Sequence, residues 1–104
     1  MKLYAIMKEN TEIEDMDTLL LTFNEKQIRE TFEKEEKKLK KNESLILTYF
    51  ELETNKIKQA FGLTDSELKE YQEQYLEVLE DFVLNNGTYI EEKAVSGSKV
   101  AWII

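Results

Sequence analysis

The chain has 104 residues with no histidine, cysteine or proline, and its formal net charge at pH 7 is −8. Without histidine and cysteine it cannot build a Ser-His-Asp triad, a cysteine nucleophile or a His/Cys zinc site, so the composition argues against an enzyme. The acidic balance also disfavours direct binding of nucleic acid, because phosphates repel a negatively charged protein at long range.

The length and the apolar content of 41% predict a single globular domain over residues 1–104. No apolar run approaches the roughly 20 residues that span a bilayer. The amino terminus turns charged at Lys8 and Glu9, which is unlike a signal peptide. We therefore expect a cytoplasmic protein that does not contact membranes, and no motif in the sequence indicates a cofactor.

Three apolar segments in the first half of the chain are typical of β-strands: residues 3–7, 18–23 and 45–52. Two of them contain consecutive apolar residues, at 19–21 and 45–47. Because side chains alternate across a sheet, both faces of this sheet should be apolar. We expect either helices on both faces or one face closed by another chain, such as a second copy in a homodimer.

A helix is predicted from about Glu25 to Lys41, with Asn24 as its N-cap. Its apolar stripe is thin, which predicts a position on the surface of the domain, half buried at most. Favourable i,i+4 pairs of glutamate with lysine are expected along the helix, at Glu30–Lys34, Glu33–Lys37 and Glu36–Lys40. Helix stability then explains the basic residues near its end, and no nucleic-acid contact is needed.

The segment after the third strand admits two interpretations. Residues 49–57 are typical of a β-hairpin that turns at Thr54 and Asn55. Alternatively, residues 56–61 form a helical turn that ends at Gly62, since glycine readily adopts the left-handed conformation found at helix C-termini. We expect the hairpin, and the sequence leaves the helical turn open.

The longest predicted helix covers residues 65–85 and begins with a capping box at Thr64 and Glu67. A last hairpin follows, with strands at residues 88–95 and 99–104. The predicted order ββα-ββ-α-ββ indicates an α+β fold, with a small, mainly antiparallel sheet and two helices. Helical spacing predicts one broad buried face on the long helix, made of Leu68, Tyr71, Tyr75, Val78, Leu79, Phe82 and Val83.

Acidic residues form a second stripe on the long helix, opposite its apolar face. Between Asp65 and Asp81 there are seven acids and one base, Lys69. A helix selected for stability alone would place lysines four residues after its glutamates, and this helix does not. The stripe is therefore interpreted either as a solvated helix face or as a surface offered to a basic partner. It consists of Glu70, Glu73, Glu77, Glu80 and Asp81.

A second acidic segment links the first two predicted strands and contains Glu12, Glu14, Asp15 and Asp17. Carboxylate oxygens are ligands for Mg²⁺ and Ca²⁺, but the segment lacks the glycine and the spacing of a calcium loop. We therefore expect no metal there, and interpret the segment as an extension of the negative surface.

The leading functional hypothesis is a non-enzymatic protein that presents the acidic helix and the acidic segment to a basic protein surface. Small, acidic, histidine-free chains are common among phage- and plasmid-borne inhibitors of nucleic-acid-handling enzymes, such as anti-CRISPR and anti-restriction proteins. The analogy is one of size and charge, and it predicts that the stripe imitates nucleic acid. The alternative is a self-associating structural or assembly domain without such mimicry.

Overall fold

The computed structural model describes residues 1–97 and contains a four-stranded antiparallel sheet. Its strands lie in the order β2-β1-β3-β4, so β1 and β3 are central. In chain order the strands are β1 (Lys2–Asn10), β2 (Asp15–Thr22), β3 (Glu43–Glu51) and β4 (Thr88–Ser96). The predicted α+β fold is confirmed, while the strand predicted at residues 99–104 lies outside the described residues.

Four helices accompany the sheet within residues 1–97, where the sequence predicted two. The observed order is therefore ββαβαααβ rather than ββα-ββ-α-ββ. One helix lies between β2 and β3, and three consecutive helices connect β3 to β4. They are α1 (Glu25–Glu36), α2 (Thr54–Phe61), α3 (Asp65–Gln74) and α4 (Leu76–Asn86).

Helices lie on both faces of the sheet, as one of the two expected arrangements requires. On one face, Ile28 and Phe32 of α1 pack in a cluster with apolar side chains of β1 and β3. On the opposite face, Leu3 of β1 packs in a second cluster with residues of the other three helices, which are Ile57, Leu68, Leu79 and Val83. The two clusters make a three-layer domain, because the central strands supply apolar groups to both sides.

Consecutive apolar residues of a strand point to opposite faces of the sheet, as the alternation of side chains requires. Leu20 packs against the cluster beneath α1, whereas Leu21 packs against the cluster beneath α2–α4. Leu19 is the extra residue of a β-bulge, because Leu20 pairs with Ile6 and Thr18 pairs with Met7. The bulge leaves the Leu19 side chain 40% exposed at the edge of the sheet.

α1 ends at Glu36, five residues before the predicted end at Lys41. The chain must reverse there so that β3 begins at Glu43. Two hydrogen bonds fix the reversal: Lys40 N donates to Glu43 Oε1 (2.9 Å), and Glu43 N donates to Lys40 O (3.0 Å). Tertiary pairing of β3 therefore overrides a helical pattern that continues in the sequence.

The glutamate–lysine pairs predicted along α1 are wrong, because none of the three lies within 4.0 Å among residues 1–97. Arg29 instead binds Glu25 one turn earlier, at 3.6 Å, and Glu92 of β4. Its Nη2 donates to Glu92 Oε1 at 2.9 Å, and its Nη1 bonds the other oxygen. This two-bond contact joins α1 to β4.

Residues 54–61 form α2, so the predicted hairpin at 49–57 is wrong and the helical-turn alternative is correct. Ile57 is fully buried, and Phe61, one turn later, packs against the same cluster. Gly62 ends the helix with φ 65° and ψ 41°, and its N–H donates to Lys58 O. Burial of an i,i+4 apolar pair therefore decides the local structure.

Replacing Gly62 with alanine tests this helix end. We expect Gly62→Ala to lower the free energy of unfolding by about 1 kcal/mol, because the left-handed conformation strains any residue with a Cβ. The added Cβ would meet no atom within 4 Å, so no steric clash adds to the backbone strain. Chemical denaturation measures the loss, and Gly62→Asn should lose less. Unchanged stability in the alanine variant would contradict the assigned conformation.

Thr48 of β3 is fully buried, and its hydroxyl has no hydrogen-bond partner in the part of the chain that the structure describes. We expect Thr48→Val to raise the free energy of unfolding by about 1 kcal/mol, since the isosteric side chain removes an unsatisfied polar group. Thermal and urea unfolding measure the gain. Thr18→Val, on the exposed part of β2, is the control and should change little. A loss of stability in Thr48→Val would instead indicate that the Thr48 hydroxyl has a hydrogen-bond partner.

Candidate functional site

The helix predicted at residues 65–85 is divided at Tyr75 into α3 and α4. The backbone of Tyr75 has φ −127° and ψ 43°, which is outside the helical range. Its N–H donates to Tyr71 O (2.8 Å) at the end of α3, and its C=O accepts from Leu79 N (3.3 Å) at the start of α4. The single helix is therefore a wrong prediction, although the capping box at its start is confirmed.

Core packing favours this break. In one straight helix, Leu68 and Val83 would be about 22 Å apart along the axis. Both are buried in the same cluster with Leu3 at the end of the sheet. Folding the segment into two shorter helices lets both residues reach that cluster, and the chain turns at Tyr75.

The break leaves three apolar side chains exposed. Tyr75 is 52% exposed, Leu76 44% and Val78 45%. Tyr75 and Val78 were predicted on the buried face, which is wrong because the chain turns there and the core contacts pass to neighbouring residues. The Tyr75 ring contacts the Tyr71 ring, with 5.0 Å between centroids. We call residues 73–78 the α3–α4 corner; they line an open groove of about 380 Å³.

The predicted acidic stripe is divided by the same break. Glu70 and Glu73 belong to α3, and the remaining three acids belong to α4, so no continuous rod of charge exists. All five carboxylates are solvent-exposed except that of Glu80, which is half-buried. Within residues 1–97 none of the five forms an ion pair, whereas Asp65 binds Lys58 at 2.6 Å. Both helices that meet at the corner therefore carry acids without an ion pair, and two of these acids, Glu73 and Glu77, line the groove itself.

Glu80 differs electrostatically from the other acids of the stripe. Burial raises the pKa of Glu80 above its ordinary value of 4.5, and the negative charge of Glu77 raises it further. The folded chain therefore holds this proton more tightly than the unfolded chain does. Protonated Glu80 therefore stabilises the fold. This contribution is fully present below the ordinary pKa of glutamate, and it is lost as the pH rises through the higher pKa that Glu80 has in the folded state.

Removing this charge should stabilise the fold at neutral pH. We expect Glu80→Gln to raise the melting temperature at pH 7 by roughly 1–3 °C, because the ionised carboxylate is partly desolvated beside Glu77. At pH 4 the difference from wild type should shrink, because Glu80 is then largely protonated. Calorimetry at both pH values measures it, with exposed Glu73→Gln as the control. A larger stabilisation at pH 4 than at pH 7 would contradict the sign of the shift.

The second acidic segment is the β1–β2 hairpin. Asp15 and Asp17 belong to β2, so the predicted loop is shorter than expected and spans only residues 11–14. Glu12 Oε2 accepts from Asn42 Nδ2 (3.1 Å), which ties the hairpin to the start of β3. Glu14 turns the chain with a positive φ of 52°. All four predicted acids of the segment are exposed, as a solvent-facing surface requires.

The two acidic surfaces lie toward opposite ends of an elongated molecule. The hairpin follows the last residue of β1, whereas α2–α4 pack against Leu3 near its start. β1 is about 30 Å long at the usual rise per residue. The longest dimension of the molecule is 56 Å. The structure therefore does not bring the nine predicted site residues into one contiguous patch.

Sequence reasoning missed the apolar part of the candidate site. Leu76 stood on neither the predicted buried face nor the acidic stripe, and it is exposed at the corner. No glycine or proline occurs between Thr64 and Asn86, so the sequence carries no ordinary signal of a break. The acidic surroundings of the corner, in contrast, were visible from residue spacing alone.

Two negative findings apply to residues 1–97. No three acidic side chains in that range converge closely enough to hold a metal ion. None of the helices there is long and apolar enough to cross a membrane.

Comparison of the chain with protein families, curated proteins and solved structures found no match.

Proposed function

We propose that the chain is a non-enzymatic binding protein that docks the α3–α4 corner, with its surrounding carboxylates, onto a basic protein surface. Unpaired charge carries this proposal: between Asp65 and Asn86 the sequence has seven acids and one base, Lys69, and none of the five acids of the stripe forms an ion pair within residues 1–97. Like charges on neighbouring helical turns destabilise a helix. A partner that supplies positive charge turns this repulsion into attraction.

α1 differs from α3 and α4 in how its charges are distributed. Acidic and basic residues alternate along α1, and Arg29 pairs with Glu25 and Glu92. Neighbouring opposite charges cancel each other's field at distances beyond their own separation, whereas the field of an uncompensated charge reaches about one Debye length, roughly 8 Å in physiological salt. The acids around the corner have no such compensation, and their field extends further into solvent.

The partner that we propose is a protein with a groove built to hold nucleic acid. The lysine and arginine side chains of such a groove already face regular negative charge. The hairpin acids, at residues 12–17, add to the net negative field that would speed encounter with the groove. Occupation of the groove would inhibit a nucleic-acid-handling enzyme, as the phage- and plasmid-borne inhibitors do. Because the chain breaks at Tyr75, this imitation relies on charge carried by two short helices.

Self-association is a weaker proposal for the same surface. Two corners in contact would bring the carboxylates of both chains together, and unpaired like charges across an interface oppose binding. A homodimer formed elsewhere on the molecule stays a prediction.

Charge reversal tests the proposal. The triple variant Glu70→Lys, Glu73→Lys, Glu77→Lys changes three exposed residues around the corner. We expect it to lose a partner that the wild-type protein retains in affinity capture from host lysate, because the attractive field is removed. Retention by wild type should fall roughly tenfold between about 50 and 300 mM salt. Quantitative mass spectrometry of the retained proteins measures both effects.

The matched control reverses three exposed glutamates of α1: Glu30→Lys, Glu33→Lys, Glu36→Lys. It changes the net charge by the same amount and should keep the partner. Equal loss from both triple variants would show that net charge alone governs retention. Undiminished capture by the corner variant would contradict the proposed docking surface. A retained enzyme that acts on nucleic acid should also lose its nucleic-acid binding when the wild-type chain is added.

A further inference from the structure

The α3–α4 corner combines two features that docking surfaces share. Its centre is apolar, with about half of the Tyr75 side chain exposed beside Leu76 and Val78. Its rim is charged, since Glu73 and Glu77 line the same groove. Interfaces place aromatic anchors at the centre, where water is excluded, and keep charged groups at the edge.

The size of the groove argues for side chains of another protein as its ligand. At about 380 Å³ it lies at the small end of the range for small-molecule pockets, and it opens widely to solvent. The exposed apolar residues occupy only about one helical turn, from Tyr75 to Val78. A partner helix that lays one or two apolar side chains across this turn would match its width.

From this geometry we infer that the corner receives a basic amphipathic helix. The inference rests on the proposed function and deepens it by naming the form of the partner. Apolar residues of the helix contact Tyr75, Leu76 and Val78, and lysine or arginine residues beside them face Glu73 and Glu77. Charge complementarity selects this occupant: the only base between Asp65 and Asn86 is Lys69, so an acidic helix would be repelled.

Synthetic peptides provide the test, with no need to identify the natural partner. The probe is a peptide of leucine and lysine in which leucine recurs at helical spacing. Polylysine of equal length supplies charge without the apolar face, and a leucine–glutamate peptide supplies the apolar face with the wrong charge. Titration into ¹⁵N-labelled protein gives affinities and maps the amides whose shifts change.

We expect the leucine–lysine peptide to bind at least tenfold more tightly than polylysine, with the largest shift changes at residues 73–78. The leucine–glutamate peptide should not bind. The double variant Tyr75→Ser, Val78→Ser should weaken binding of the leucine–lysine peptide at least tenfold. The matched control, Ile13→Ser with Met16→Ser, changes comparably exposed residues on the distant hairpin and should bind as wild type does. Circular dichroism checks the fold of both variants.

The outcomes separate this inference from the proposed function. If polylysine and the leucine–lysine peptide bind equally, with shift changes spread over the acids, charge alone governs binding; the inference is then wrong and the proposed function stands. If neither basic probe binds at low salt, both are wrong. Shift changes centred on the hairpin, or binding of the leucine–glutamate peptide with equal affinity, would also overturn the inference. The wild-type shift map decides these cases even if the corner variant fails to fold.

Discussion

The central strands β1 and β3 carry apolar side chains on both faces, and the rest of the fold depends on covering them. Leu3 and Tyr4 are neighbours in sequence, both are buried, and they belong to different clusters. A single layer of helices would leave one of these clusters in water. The chain therefore places α1 on one face and the consecutive helices α2–α4 on the other.

Covering the second face shapes the candidate binding surface. The helices between β3 and β4 must bring residues distant in sequence, such as Ile57 and Val83, into one cluster near Leu3. Short helices with turns between them achieve this better than one long rod. The turn at Tyr75 then points a tyrosine and two aliphatic residues into solvent. In this way a requirement of core packing produces an exposed apolar corner among acidic helical residues.

Two groups of charged residues in this domain have different consequences. Some join elements of the fold: Arg29 with Glu92 links α1 to β4, and Lys58 with Asp65 links α2 to α3. Exposed pairs of this kind contribute little to the free energy of unfolding, because solvent and salt screen them. The acids of α3 and α4 other than Asp65 have no ion-pair partner among residues 1–97, so their mutual repulsion opposes folding while their charge adds to the electrostatic field. A binding role for them is consistent with that division.

Sequence patterns were enough to predict the α+β class, the strands of the sheet and the capped starts of α1 and α3. These features follow from the alternation of side chains and from local hydrogen bonds, such as the one that Gln27 N donates to Asn24 Oδ1. The sequence also located every acid of the candidate surface. Three other features are evident only in the folded domain: α1 ends at Glu36, residues 54–61 are helical, and the helix breaks at Tyr75. Each of these depends on contacts between residues far apart in sequence, which helical and strand periodicity do not encode. The exposure of Leu76 and Val78 depends on the same contacts, because the buried positions of a helix are set by the surface on which it packs.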